Sequence, residues 1–404
     1  MKKNNPLSMI MFIFVWVGSL MAITACDTST TKLEWEHIYD EAETYAGPST
    51  IFEARDGGYI VYDYSYVPNQ SMLMKIDNQG NPLWQDIFDR DGALAFRETT
   101  DGGYLMKSIQ AKELLLKKLD ENRELIWQAT YTVSANEDIK SSMWTDDGGC
   151  VISGLVDNDP EADTAFIVKL DALGGVEWKT TPENDFSILD CQASDGGFIA
   201  MTKTETEDGN QFWMHKLSAS GEFLWSNIVH ETAITRLPLG NVTFAVRTLY
   251  KFRDIKPLMA GGFIATGAIE SIYMSDEGDI EKDNSSFVMK ISDSGELIWR
   301  KSFMAQLGYE TSYLTWKYAK HVIETVDKAY VVTGYGYKTG PDGAVQTLWM
   351  AKLSTNGVVL LDKKYDTDSE EPDSTGTALS ATQDGGYIVA GLKGNSNRIM
   401  KFID

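Results

Sequence analysis

One phrase recurs along the whole chain: Asp-Gly-Gly-aromatic, an apolar run, Lys-apolar-Asp/Ser, then Gly, then Trp. Its Gly-Gly pairs stand at Gly57-Gly58, Gly102-Gly103, Gly148-Gly149, Gly196-Gly197, Gly261-Gly262 and Gly385-Gly386, and Lys328-Ala329 fills a degenerate seventh slot. Self-similarity at a fixed period means that one supersecondary unit is stacked on copies of itself. Within residues 48–89, short β-branched and aromatic runs (Ser49 to Ala54, Tyr59 to Tyr64, Met72 to Ile76, Leu83 to Phe88) are separated by Gly-bearing turns, which describes four antiparallel strands. No sustained helical period occurs beyond the first 25 residues. Four-stranded sheets repeated radially make a β-propeller, which leaves only short, protected edges. The expectation is an all-β, seven-bladed β-propeller.

The seventh repeat ends at Lys401-Phe402-Ile403-Asp404 and lacks its Trp strand. Leu33-Glu34-Trp35-Glu36-His37-Ile38-Tyr39 matches Leu83 to Phe88 and supplies it from the other end. Residues 33–404 thus read as one ring, closed by an N-terminal strand completing the last blade. The second half of each repeat is equally regular. Lys75, Lys118, Lys169, Lys216, Lys290 and Lys352 precede an Asp or Ser by two residues, and Trp84, Trp127, Trp178, Trp225, Trp299 and Leu361 follow that residue by seven. A Trp repeated at matched positions is expected to fill the gap between neighbouring sheets rather than to bind sugar.

The first 25 residues have another logic. Lys2 and Lys3, an apolar stretch from Met9 to Ala22 and small residues before Cys26 describe a secretory signal, too short in its apolar part for a spanning helix of ~20 residues. Ile23-Thr24-Ala25-Cys26 resembles a bacterial lipobox. That resemblance implies cleavage before Cys26, lipid on its thiol, a tether over residues 26–32 and a place in the cell envelope. Asp27 resembles an inner-membrane retention signal of enteric bacteria, a rule that varies between phyla, so membrane and leaflet stay open. Removing residues 1–25 takes away two lysines and no acid and moves the net charge from -23 to -25. Such a field excludes phosphate-backbone binding. The chain reads as a monomer that meets the membrane through its lipid alone.

Beyond Cys26, only Cys150 and Cys191 remain, both at apolar strand positions that suit buried thiols. His37, His215, His230 and His321 are scattered, without zinc spacing. The Asp-Gly-Gly and Asp-x-x-Gly turns belong on one face of the disc, and their glycines serve φ > 0 turns. The opposite face is expected to carry long loops, Tyr62 to Ser71, Val156 to Ala165, Thr202 to Gln211, Ile269 to Ser286 and Tyr335 to Gln346, and two inter-blade insertions, Val229 to Lys256 and Phe303 to His321. Loops on a rigid scaffold are where binding resides. The first insertion is basic, with Arg236, Arg247, Lys251, Arg253 and Lys256; the second is aromatic, with Tyr309, Tyr313, Trp316 and Tyr318. Each reads equally as an interaction surface or as an extended hairpin capping the ring. Two acidic segments, Asp157, Asp159, Glu161, Asp163 and Asp276, Asp279, Glu281, Asp283, have the oxygen ligands that calcium takes, without the EF-hand spacing. A solvated loop explains them as well.

The Asp-Gly-Gly-Tyr-Ile-Val and Lys-Leu-Asp-x-x-Gly-x-x-x-Trp phrases resemble the repeats of secreted bacterial propeller lipoproteins in the broad quinoprotein-like group. Residues 75–84, Lys-Ile-Asp-Asn-Gln-Gly-Asn-Pro-Leu-Trp, are similar to the blade signature of pyrroloquinoline quinone dehydrogenases. That likeness implies eight blades, calcium and a catalytic Asp, and the sequence shows no such constellation on a count of seven. The style is also similar to that of the propeller lipoprotein of outer-membrane assembly, a scaffold. Two readings follow: a non-catalytic scaffold without cofactor that meets envelope proteins or glycans through its long-loop face, or a secreted enzyme, either a glycoside hydrolase or a quinoprotein-like dehydrogenase. A glycosidase needs paired carboxylates across one cleft, and the sequence does not pair its acids. Fold alone does not assign chemistry.

Overall fold

The computed structural model describes residues 31–39, 47–66, 69–89, 93–110, 112–156, 164–181, 191–206, 209–239, 242–274, 280–303, 306–307, 314–315, 317–340, 343–366 and 373–403. Strand β1 is Lys32–Tyr39. Blade 1 follows as β2 (Thr50–Glu53), β3 (Tyr59–Tyr66), β4 (Asn69–Ile76) and β5 (Pro82–Asp89). Blade 2 is β6 (Ala93–Glu98), β7 (Tyr104–Gln110), β8 (Glu113–Leu119) and β9 (Leu125–Thr132), and blade 3 is β10 (Glu137–Trp144), β11 (Cys150–Val156), β12 (Thr164–Leu170) and β13 (Val176–Thr180). Blade 4 comprises β14 (Cys191–Gln192), β15 (Phe198–Thr206), β16 (Gly209–Leu217) and β17 (Phe223–Leu239); blade 5 comprises β18 (Val242–Pro257), β19 (Phe263–Met274), β20 (Ile280–Ile291) and β21 (Leu297–Phe303). A small hairpin, β22 (Gln306–Leu307) and β23 (Leu314–Thr315), precedes blade 6: β24 (Lys317–Glu324), β25 (Tyr330–Gly340), β26 (Gly343–Leu353) and β27 (Val359–Lys364). Blade 7 contains β28 (Ser374–Ala381), β29 (Tyr387–Lys393) and β30 (Ser396–Ile403), with β1 as its fourth strand. The protein is an all-β, seven-bladed β-propeller. β1 lies antiparallel to β30, with Leu33 opposite Phe402 and Trp35 opposite Lys401.

Two devices repeated around the ring explain the signature. The first is within each blade. The lysine of the third strand is buried and reaches the Asp of the first glycine turn: Lys118 to Asp101 at 2.7 Å, Lys169 to Asp147 at 2.9 Å, Lys216 to Asp195 at 2.6 Å, Lys401 to Asp384 at 2.8 Å, and likewise Lys75 to Asp56 and Lys352 to Asp327. In most of these turns the same carboxylate accepts the second glycine's N–H, as at Gly149 and Gly386. Blade 5 has Ala260 in place of the Asp; there Lys290 lies over the Tyr330 ring instead, and Asp293 caps Gly262.

The second device joins the blades. Each fourth-strand Trp lies over the third-to-fourth turn of the next blade. The indole N–H of Trp35 donates to the Asn78 carbonyl at 3.0 Å, that of Trp178 to Ala219 at 2.9 Å, and that of Trp299 to Thr355 at 3.1 Å. The turn residue beneath must be small: a Cβ on Gly80 would strike Trp35, on Gly221 Trp178, on Gly295 Trp225 and on Gly357 Trp299. Blade 2 puts Arg123 at this place, at φ 69, and stacks its guanidinium 4.1 Å above the Trp84 ring. The indoles are half-buried rather than fully buried as expected, because one edge meets the neighbouring turn and the other meets water. Blade 6 has Leu361 instead of Trp because blade 7 has no third-to-fourth turn: its third strand ends the sequence and its fourth begins the ring.

Most of the expected loops of the far face are hairpin extensions. β3 and β4 run on to Tyr66 and Asn69, β15 and β16 to Thr206 and Gly209, β19 and β20 to Met274 and Ile280, and β25 and β26 to Gly340 and Gly343. Alternating apolar and β-branched residues carry the ladder beyond the disc. The Val229 to Lys256 insertion is likewise strand: β17 pairs with β18 from Ile234–Arg247 to Leu239–Val242, fusing blades 4 and 5 into one eight-stranded sheet.

Candidate functional site

The innermost strands carry a feature that the sequence pattern does not advertise. Four of them bulge at the same level, and each bulge faces a glycine of the second strand. Lys140 is the extra residue in β10, Arg253 in β18, Lys320 in β24 and Thr377 in β28. The carbonyl two residues before each bulge residue points at the facing glycine (Gly154, Gly267, Gly334 or Gly391) so closely that a Cβ would overlap it. A bulge re-aims a side chain that a regular strand would alternate away. In adjacent blades 5 and 6 this brings Arg253 and Lys320 into one cleft of about 270 Å³, lined also by Tyr318, Ala319, His321 and Tyr335.

The cleft joins an aromatic wall to a cationic one. Tyr318 and Tyr335 stack with ring centroids 5.0 Å apart, and Tyr337 stands edge-on to both. The Lys320 ammonium is 5.2 Å from the Tyr335 ring centre. Burial, then the nearby Arg253 charge, lowers the Lys320 pKa. Burial first, then Tyr335 and Glu270, pushes the Tyr318 phenol up to about 12, so it remains a neutral hydrogen-bond donor. Behind the cleft, burial alone would raise Asp254, but Lys256 at 2.9 Å and His321 at 3.6 Å outweigh it and hold the carboxyl low. Asp254 also accepts the Val322 N–H, which ties blade 5 to blade 6. The lining supplies cations, ring faces and phenol donors. It contains no Ser, Thr or Cys to act as a nucleophile, so its evident chemistry is recognition.

Of the residues singled out in the sequence, Arg253 and Tyr318 meet in this cleft, although they lie in different insertions. Arg247 is elsewhere, in the outer hairpin between Ile234 and Ile272. Tyr309, Tyr313, Trp316 and Cys26 lie outside the described residues, as do Asp276, Asp279 and the Asp157 to Asp163 acids. Glu281 and Asp283 fall within β20, opposite Tyr273 and Ser271, so this half of the acidic segment is strand and not loop. Among the described residues, no group of three or more His, Cys, Asp or Glu side chains is placed to hold a metal ion. Cys150 is a buried thiol. His215 is buried between Thr202 and Ser226, each at 2.8 Å, and burial lowers its pKa to about 4. Sequence reading missed Lys320, His321 and Tyr335; the available signal was the Gly of Ala-Thr-Gly267 and Val-Thr-Gly334, which marks a bulge on the neighbouring strand.

No protein-family model matches the chain, and no curated protein matches it. Among solved structures it is similar to the Dos1 propeller at 11% identity, covering 88% of this chain and 78% of that one, with a TM-score of 0.47. A Lactobacillus plantarum protein aligns at 12% identity over 78% of this chain and 84% of its own, TM-score 0.45. Drosophila Plexin A, solved in complex with Semaphorin 1b, aligns at 9% identity over 92% and 86%, TM-score 0.46.

Proposed function

We propose that this protein is a lipid-anchored component of a bacterial cell envelope that acts as a non-catalytic binding module through the face opposite its glycine turns. The observation that carries the binding side is the cleft itself: two neighbouring bulges aim Arg253 and Lys320 at the same space, beside stacked tyrosines, in the half of the wall nearer the long hairpins. The anchored side is supported by where the ordered chain starts. Lys32 pairs with Ile403 at the rim of the glycine-turn face, six residues after Cys26. Around that rim the fourth strands expose Leu33, Leu83, Ile126, Val176, Leu224 and Ile298. A tether this short holds such a rim at the bilayer and turns the cleft outward. One acyl chain alone binds a membrane marginally, and further chains or apolar contacts make the attachment stable. Envelope proteins or glycans are the partners that this placement offers.

Anchoring is tested with Cys26→Ser. The variant is expected to leave the detergent phase on phase partitioning and to lose the mass of the lipid. If it remains in the detergent phase with the mass of the parent, the anchored reading is wrong.

A further inference from the structure

We propose that the cleft between blades 5 and 6 binds a small ring-bearing carboxylate, such as a uronic acid unit, with the carboxylate between Arg253 and Lys320 and the ring against Tyr318 and Tyr335. This deepens the binding role proposed above and rests on it.

The argument begins with charge matching. The chain carries 59 acids against 36 Lys and Arg, so carboxylates are in surplus. The cations around the cleft use them: Lys251 pairs with Glu270 at 2.7 Å, Lys256 with Asp254 at 2.9 Å, and Lys317 with Asp362 at 2.6 Å. Arg253 and Lys320 have no carboxylate partner among the described residues, and they stand close enough for Arg253 to disfavour the charge on Lys320. Two like charges side by side, one of them partly desolvated, weaken the empty fold. An anion between them removes that cost. A carboxylate suits the pair, since guanidinium can bind it through two parallel N–H bonds while the ammonium adds a point charge.

The remaining wall sets the body of the ligand. Tyr318 and Tyr335 offer ring surface and phenol donors, which suit a hydroxylated ring with an apolar face. About 270 Å³ is at the small end of ligand sites, enough for one ring rather than an extended chain. The ring is either a free small molecule or one unit of an acidic polysaccharide, and both present the same carboxylate.

The test is titration of the detergent-solubilised full chain with glucuronate, with a galacturonate tetramer and with glucose, followed by ligand-observed NMR and calorimetry. At least one of the two uronates is expected to saturate below ~10 mM, with glucose at least ~10-fold weaker. Arg253→Gln and Lys320→Met should each weaken uronate binding by ~10-fold or more, and Arg253→Lys by less. Saturation by the monomer points to a free ligand; saturation by the tetramer alone points to a polymer. Glucose binding as well as the uronates, or no saturation by either uronate, overturns the proposal, as do stably folded variants that bind like the parent. If a variant does not fold, the comparison of uronate with glucose on the unaltered chain still decides. None of these results bears on detergent partitioning, so the anchored reading stands or falls separately.

Discussion

Deleting residues 33–39 is expected to open the ring, lower stability by at least ~3 kcal/mol and make the protein associate. The segment is the outer strand of blade 7 and joins the two ends of the circle. Its ladder with β30 runs from Lys32–Ile403 to Tyr39–Asn397. It also crosses to blade 1, where the Trp35 indole donates to Asn78 at 3.0 Å and the Tyr39 hydroxyl to Gly80 at 2.6 Å. Glu36 sits 3.0 Å from the buried Arg398 and Glu34 lies 3.9 Å from the buried Lys401, so deletion leaves those cations with fewer partners. Truncating a large aromatic in a core costs ~3–5 kcal/mol. Trp35 alone is half-buried and should cost less, but the lost ladder and the exposed edge of β30 add to it. Deletion of residues 27–31 removes only tether and should leave the melting midpoint unchanged. The check is thermal unfolding followed together with light scattering. Equal melting of both truncations would mean that β1 does not close the ring.

Gly334→Ala should destabilise the ring by ~1–3 kcal/mol and also displace the candidate site. The new Cβ would overlap the Tyr318 carbonyl, a backbone atom that cannot rotate away. Relief requires β24 to move at its bulge, and the bulge is what aims Lys320. The expected result is a folded variant with a lower melting midpoint and disturbed resonances for Tyr318, Lys320 and Tyr335. Gly385→Ala is the control: it lies at φ 92 in a surface turn with open space around it, so it should cost stability through local strain and leave the cleft unchanged. A Gly334→Ala variant with native stability and unshifted cleft resonances would contradict the bulge account.

These cases show what the sequence reveals and why. Features repeated in every blade were legible, because a single physical demand stamped them seven times. Asp-Gly-Gly serves a tight turn and the buried lysine, and the Trp needs a glycine beneath it on the next blade. Even the missing Trp at Leu361 follows from closure. The far face was less legible because strand and loop compete there on the same polar, β-branched composition: Glu281 and Asp283 look like loop acids and lie in a ladder. The cleft was nearly invisible. It depends on two bulges in different blades, and a bulge shifts register by one residue without changing composition. Arg253 and Tyr318 drew notice only through their insertions; Lys320 gave no signal of its own.

The central claim is that the glycine-turn rim faces the bilayer and the cleft faces outward, toward what the protein binds. It is tested most directly by photocrosslinking in intact cells from two single positions, Ile126 on the rim and Tyr337 beside the cleft. The account predicts lipid adducts from Ile126, lost with Cys26→Ser, and discrete saccharide or protein adducts from Tyr337 that Arg253→Gln diminishes. Lipid adducts from Tyr337, with partner adducts from Ile126, would contradict it.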